Sequence, residues 1–204
     1  AGKILRYESL SDSEPNVFDD IRTQVYDLGD RGLLGLAVDP EFDKGRPYVY
    51  ALYTYDHILG DSIPAPKWGA PETTGDPCPD LNGGDACLVS GRLVRITDEG
   101  GTAGEEKLLV EDWCQQFSSH SIGELQFGPE GALYASGGDG ASFDNADYGQ
   151  LGSPQKNQCG DPPGGPGGTM EIPSAEGSAL RSQDVRTPAD PTGLDGTLIR
   201  VDPD

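Results

Sequence analysis

Gly2-Lys3-Ile4-Leu5-Arg6-Tyr7 returns as Gly91-Arg92-Leu93-Val94-Arg95-Ile96, and a third time as Gly196-Thr197-Leu198-Ile199-Arg200-Val201. The first two copies lie 89 residues apart and the second and third 105. A second pattern keeps the 89-residue offset: Gly35-Leu-Ala-Val-Asp-Pro-Glu41 matches Gly123-Glu-Leu-Gln-Phe-Gly-Pro-Glu130 when Leu36 is laid on Leu125 and Pro40 on Pro129. Two patterns at one offset mark a structural repeat, and repeats of this kind read as a solenoid or a propeller.

The unit is built from short β-like runs. Leu36 to Val38 leads through an Asp-Pro turn to Tyr48–Tyr55, YVYALYTY, rich in the aromatic and β-branched residues that strands favour. Arg92 to Thr97 and Lys107 to Val110 follow, giving four strands, the make-up of a propeller blade. The second unit repeats the order with Leu125 to Phe127, the turn Gly128-Pro-Glu-Gly131, Ala132 to Ser136 and Thr197 to Val201. Long loops fill 56–90 and 137–195. The latter holds Gly160-Asp-Pro-Pro-Gly-Gly-Pro-Gly-Gly168, which suits neither a helix nor a central strand. No helix is expected. Residues 1–204 read as a single all-β domain, an incomplete propeller of one full blade and parts of two neighbours, whose further partner is the remainder of the ring.

Charge and cysteines bound the setting. The formal net charge of -21 opposes binding to nucleic acid or to an anionic membrane surface. The acids are scattered, which suits solubility in a salty habitat; attraction of cations such as calcium is the functional alternative. No run approaches the roughly 18 apolar residues that cross a bilayer, and no leader precedes Ala1, so any signal peptide is expected to have been removed or to lie outside this sequence. Cys78 and Cys87 bracket a loop of Pro, Gly and Asp that a disulfide would tie, leaving Cys114 and Cys159 to pair by elimination. No C-x-x-C pair suggests zinc. Four cysteines in loop contexts fit an oxidising compartment, secreted or periplasmic.

Several segments resemble one known group. Asp30-Arg-Gly-Leu-Leu-Gly-Leu-Ala-Val-Asp-Pro40, His120-Ser-Ile-Gly-Glu-Leu-Gln-Phe-Gly-Pro-Glu-Gly-Ala-Leu-Tyr-Ala-Ser-Gly-Gly-Asp139, Arg181-Ser-Gln-Asp and Leu194-Asp-Gly-Thr-Leu-Ile-Arg-Val-Asp-Pro203 are similar, in order and spacing, to the N-terminal part of the soluble glucose/sorbosone dehydrogenases that use pyrroloquinoline quinone (PQQ). The resemblance implies a six-bladed propeller with PQQ over the central channel, calcium ions that help hold it, and oxidation of a sugar hydroxyl: a histidine removes the proton and a hydride passes to the quinone. It leaves the electron acceptor that follows unassigned. It also implies that much of the cofactor and calcium site lies further along the family's chain, so these 204 residues by themselves are expected to be inactive.

His120 is the candidate catalytic base. It is one of two histidines, it sits among serines just before a strand, and a neutral imidazole takes a proton near neutral pH. Taken without the resemblance it reads more readily as a surface or hydrogen-bonded histidine. Asp30 could accept a hydrogen bond from substrate, orient His120, or serve as a turn residue in Gly29-Asp-Arg-Gly32. Arg31 could meet a PQQ carboxylate or lie exposed to solvent. Asp139 follows Gly137-Gly138 where the family places a Gly-Asp pair near the active centre. Ser119 and Gly140 depart from the family pattern, which motivates a second reading, a propeller that binds carbohydrate or protein without catalysis. A calcium-dependent lactonase-type propeller is a third. Asp144, Asn145 and Asp147 crowd one loop without a recognisable calcium spacing, and no metal ligand is assigned. His57 reads as a surface residue, and Trp68 and Trp113 as core cover.

Overall fold

The structure, a computed structural model, describes residues 2–57, 62, 64–68, 76, 88–115, 117–140 and 194–204. Nine strands form three antiparallel sheets: β1 (Lys3–Arg6) with β2 (Asn16–Asp20); β3 (Leu33–Val38), β4 (Tyr48–Tyr55), β5 (Val89–Asp98) and β6 (Ala103–Gln115) in spatial order; and β7 (Ile122–Phe127), β8 (Leu133–Gly137) and β9 (Leu198–Val201). A 3₁₀ turn at Phe42–Lys44 is the helical element among the described residues, and no described helix is long and apolar enough to cross a membrane. The chain is all-β, with sheets that do not close on themselves, as a partial propeller requires.

The repeat maps onto equivalent strands. β1, β5 and β9 carry the three Gly-x-x-x-Arg copies, and β3 and β7 carry the two Leu-x-x-x-Pro copies. β2 pairs β1 as β6 pairs β5, so the two-stranded sheet is the outer half of a blade. The strand at Asn16–Asp20 has no counterpart in the sequence reading, because NVFDD is short and largely polar. Tyr48–Tyr55 forms β4 as read, whereas β3, β5, β6 and β7 run longer than their apolar cores suggest. β6 extends to Gln115 and β5 begins at Val89, because a ladder continues through polar residues once the partner backbone is in place.

Stacking of the sheets follows from the period of two in a strand. In β4, Val49, Ala51 and Tyr53 face Ile4, Phe18, Ile21 and Val25 of the first sheet and its connection. Tyr50 and Leu52 face the other way and join Leu93, Trp113, Ile122, Leu125, Leu133 and Ala135. The middle sheet is therefore covered on both faces, and β4, apolar on both, is its most buried strand. Gly35 is required at one approach: a Cβ there would lie 2.9 Å from the Leu125 side chain and 3.1 Å from the Gly123 carbonyl, where β3 meets β7.

Trp113 is buried and Trp68 half-buried, as core cover. His57 is not fully on the surface: it is half-buried and stacks on Tyr55 at 5.4 Å. The Cys78–Cys87 and Cys114–Cys159 pairings involve three cysteines outside the described residues; Cys114 itself is disulfide-bonded. The Asp144, Asn145 and Asp147 loop and Arg181 also lie outside them.

One half-buried acid on the fourth strand of the middle sheet makes a pH test. Burial holds Glu106 above its ordinary carboxyl value of 4.5, an effect that Arg92, 3.6 Å away, only partly offsets. A carboxyl raised in the folded state stabilises the fold below its unfolded value, and that stability is lost as pH rises through the folded value. Glu106→Gln keeps the neutral form at every pH. The drop in urea midpoint between about pH 4 and about pH 7 is expected to be smaller in Glu106→Gln than in the wild type.

Candidate functional site

Three connections meet at one rim of the sheets. The segment entering β3 carries Asp30 and Arg31, the segment between β6 and β7 carries His120, and the segment leaving β8 carries Asp139. His120 has φ +53, the one non-glycine residue with positive φ among those described. Left-handed backbone costs a side-chain-bearing residue of order 1–3 kcal/mol and persists only where its surroundings enforce it, a pattern that concentrates at functional sites.

The surroundings here are specific. The His120 N–H donates to Asp30 Oδ2 at 3.0 Å, and the Asp30 N–H donates back to the Ser118 carbonyl at 2.8 Å. The Gly140 N–H donates to the His120 carbonyl at 3.0 Å, and the Gly138 N–H to the Ser121 carbonyl at 2.7 Å. A Cβ on Gly138 would stand 2.2 Å from the His120 carbonyl oxygen, and one on Gly29 2.5 Å from the Ser118 carbonyl, so both glycines permit the close approach. The imidazole is held as well: Nδ1 lies 2.7 Å from Asp139 Oδ1. A carboxylate accepts and does not donate, so Nδ1 is the donor in this contact. The His120 side chain is 40% exposed.

Of the residues singled out by sequence, the structure thus brings His120, Asp30 and Asp139 together. Asp30 lies in a turn and meets the backbone N–H of His120 rather than its ring. Arg31 is not the solvent-exposed side chain that one of its two alternatives expects. It is 3% exposed and turned inward, where it donates from Nη2 to the Gln115 carbonyl at 2.7 Å and lies over the Tyr26 ring at 5.2 Å. Burial lowers its pKa to about 10, against the pull of Tyr26, and raises the Tyr26 phenol to about 12. Arg31 therefore supports the rim from beneath.

The sequence reading missed a buried polar group under His120. The Gln115 amide donates to Asp195 Oδ1 at 3.1 Å, and the Gln115 side-chain carbonyl accepts from the Ser121 hydroxyl at 3.0 Å. Thr54 Oγ1 lies 3.4 Å from Ser121 Oγ. These residues are far apart in sequence and each is a common residue type, so no local pattern marks them. The opposite rim holds a cavity of about 650 Å³ lined by the Asp39, Glu130 and Asp202–Asp204 segments, remote from His120.

The described residues of the site form no cradle for PQQ. PQQ bears three carboxylates, whereas the described groups beside the imidazole are the carboxylates of Asp30 and Asp139, and Arg31 faces inward. Among the described residues no group of three or more His, Cys, Asp or Glu side chains is placed to hold a metal ion. The described donor set alone does not fit either group.

No family model matches the chain, and no curated protein matches it. It is similar to a solved structure from Thermus thermophilus that carries the provisional name oxidoreductase (glucose dehydrogenase), at 24% identity and a TM-score of 0.46, over 68% of this chain and 32% of that one. This chain thus spans about a third of that protein's length.

Proposed function

We propose that this chain carries the proton-abstracting half of a sugar dehydrogenase, with His120 as the general base. The observation that carries this reading is the 2.7 Å contact of His120 Nδ1 with Asp139, which orients the imidazole of a positive-φ residue tethered through both its N–H and its carbonyl. Nε2 takes the proton of a substrate hydroxyl, and Asp139 balances the imidazolium that forms. Asp30 keeps the backbone of His120 in place while the ring changes charge. Oxidation of the alcohol carbon also needs a two-electron acceptor. The resemblance of the Asp30–Pro40 and His120–Asp139 segments implies PQQ in that role, held with the help of calcium largely by residues further along the family's chain.

The test is sugar-dependent reduction of a redox dye by the whole protein, with PQQ and calcium added, alongside an absorbance titration with PQQ. The reading expects a saturable spectral change on PQQ addition and dye reduction that depends on sugar. Binding of PQQ or sugar with no sugar-dependent dye reduction would favour the non-catalytic propeller and end the dehydrogenase reading.

A further inference from the structure

Asp195 sits at the tight turn that leads into β9, in the segment Leu194-Asp-Gly-Thr197. It is 4% exposed, so a carboxylate has been taken almost wholly out of water. Such burial is costly and is tolerated where hydrogen bonds satisfy the group. Its partner Gln115 is 0% exposed and bridges two charges, accepting from Arg31 with its backbone carbonyl and donating to Asp195 with its side chain. The other end of the same amide holds the hydroxyl of Ser121, the residue next to His120.

Asp195 also touches the opposite side of the dyad. Gly140 has φ +64, and a Cβ there would fall 3.0 to 3.2 Å from the Asp195 carboxylate atoms. The carboxylate thus occupies the space a side chain at 140 would need. Gly140 donates to the His120 carbonyl, and Gly196 donates to the Gly138 carbonyl at 2.7 Å, so the turn at 195–196 backs both glycines that flank Asp139. One buried acid is therefore coupled to His120 through Gln115 and Ser121, and to Asp139 through Gly138 and Gly140.

We propose that Asp195 is a positioning residue of the His120–Asp139 pair, setting the separation of imidazole and carboxylate from beneath. The proposal rests on the reading of His120 as a base for its catalytic consequence, but not for its structural one. Removing the carboxylate lets Gln115 turn and opens space under Gly140, so the two segments that carry the dyad lose a common support. Asp195→Asn keeps an acceptor oxygen for Gln115 and nearly the same volume.

The chain labelled with ¹⁵N supplies the first readout, the downfield Nδ1–H proton of His120 in its bond to Asp139. Asp195→Ala is expected to broaden or lose that resonance, and Asp195→Asn to retain it. Ser121→Ala, which cuts the same link from the other end, is expected to weaken it as well and covers the case in which Asp195→Ala does not fold. In the whole protein, kcat of Asp195→Ala is expected to fall about 10- to 100-fold with KM little changed, the scale of a small misplacement of a reacting group. An unaltered resonance in a folded Asp195→Ala, or in Ser121→Ala if the former does not fold, overturns the proposal, because Asp195 is then only a packing residue. Absence of sugar oxidation in the wild type overturns the function proposed above and leaves the resonance test standing.

Discussion

His120→Asn is expected to lower kcat for sugar oxidation in the whole protein by about 100- to 10,000-fold, the usual contribution of a positioned general base, while the protein keeps its fold. The choice of asparagine matters. His120 has φ +53, and asparagine is among the residues that adopt the left-handed region most readily. Alanine would confuse loss of the base with backbone strain. The lost contact to Asp139 involves a side chain that is 40% exposed, so its removal costs little more than a typical hydrogen bond, about 0.5–1.5 kcal/mol. Turnover and thermal unfolding should therefore separate. Steady-state dye reduction checks the first and circular dichroism melting the second. Turnover within about threefold of the wild type would remove His120 from the reaction, since a loss that small is well under the contribution of a base.

Trp113→Ala is expected to be the most damaging single truncation in the described core, at about 3–5 kcal/mol, the range for deleting a buried aromatic side chain. Trp113 is 1% exposed and stands on β6 where the middle sheet meets the third. Its ring fits against bare backbone: a Cβ on Gly137 would lie 2.1 Å from the ring, and one on Gly91 3.0 Å from the Trp113 Cβ. Neither glycine has a side chain that could collapse into the space. One feature softens the loss, since the indole N–H is buried without a hydrogen-bond partner among the described residues. Trp113→Phe removes that unsatisfied donor and keeps much of the ring, so it is expected to cost clearly less than the alanine change. Denaturant midpoints of the two variants at equal slope check this ordering. An alanine variant within about 1 kcal/mol of the wild type would mean that this interface does not carry the stability its burial implies.

The two effects act at different depths of the same structure. Trp113 lies against Gly137, and Gly137 begins the run that carries Asp139 to His120. Loss of the tryptophan should therefore also depress activity, whereas loss of the imidazole leaves the sheets as they are. A protein that is inactive but folds normally points to the dyad; one that is inactive and unstable points to the packing beneath it.

The sheets are written in local sequence. A strand shows its pattern every second residue, so YVYALYTY, apolar on both alternations, declares a strand covered on both faces, and three Gly-x-x-x-Arg copies declare equivalent strands. Motif resemblance and the scarcity of histidine likewise single out His120, Asp30 and Asp139. What those residues do to one another came from the folded chain alone. Asp30 and His120 are 90 positions apart, and Gln115 and Asp195 80, so their bonds depend on how loops from successive sheets converge at one rim. Folding also makes Arg31 a buried support instead of a surface cation, through the Gln115 carbonyl and the Tyr26 ring. Local pattern encodes which face of a strand is apolar. The meeting of distant polar side chains is set by the packing of whole sheets, which no short stretch of sequence contains.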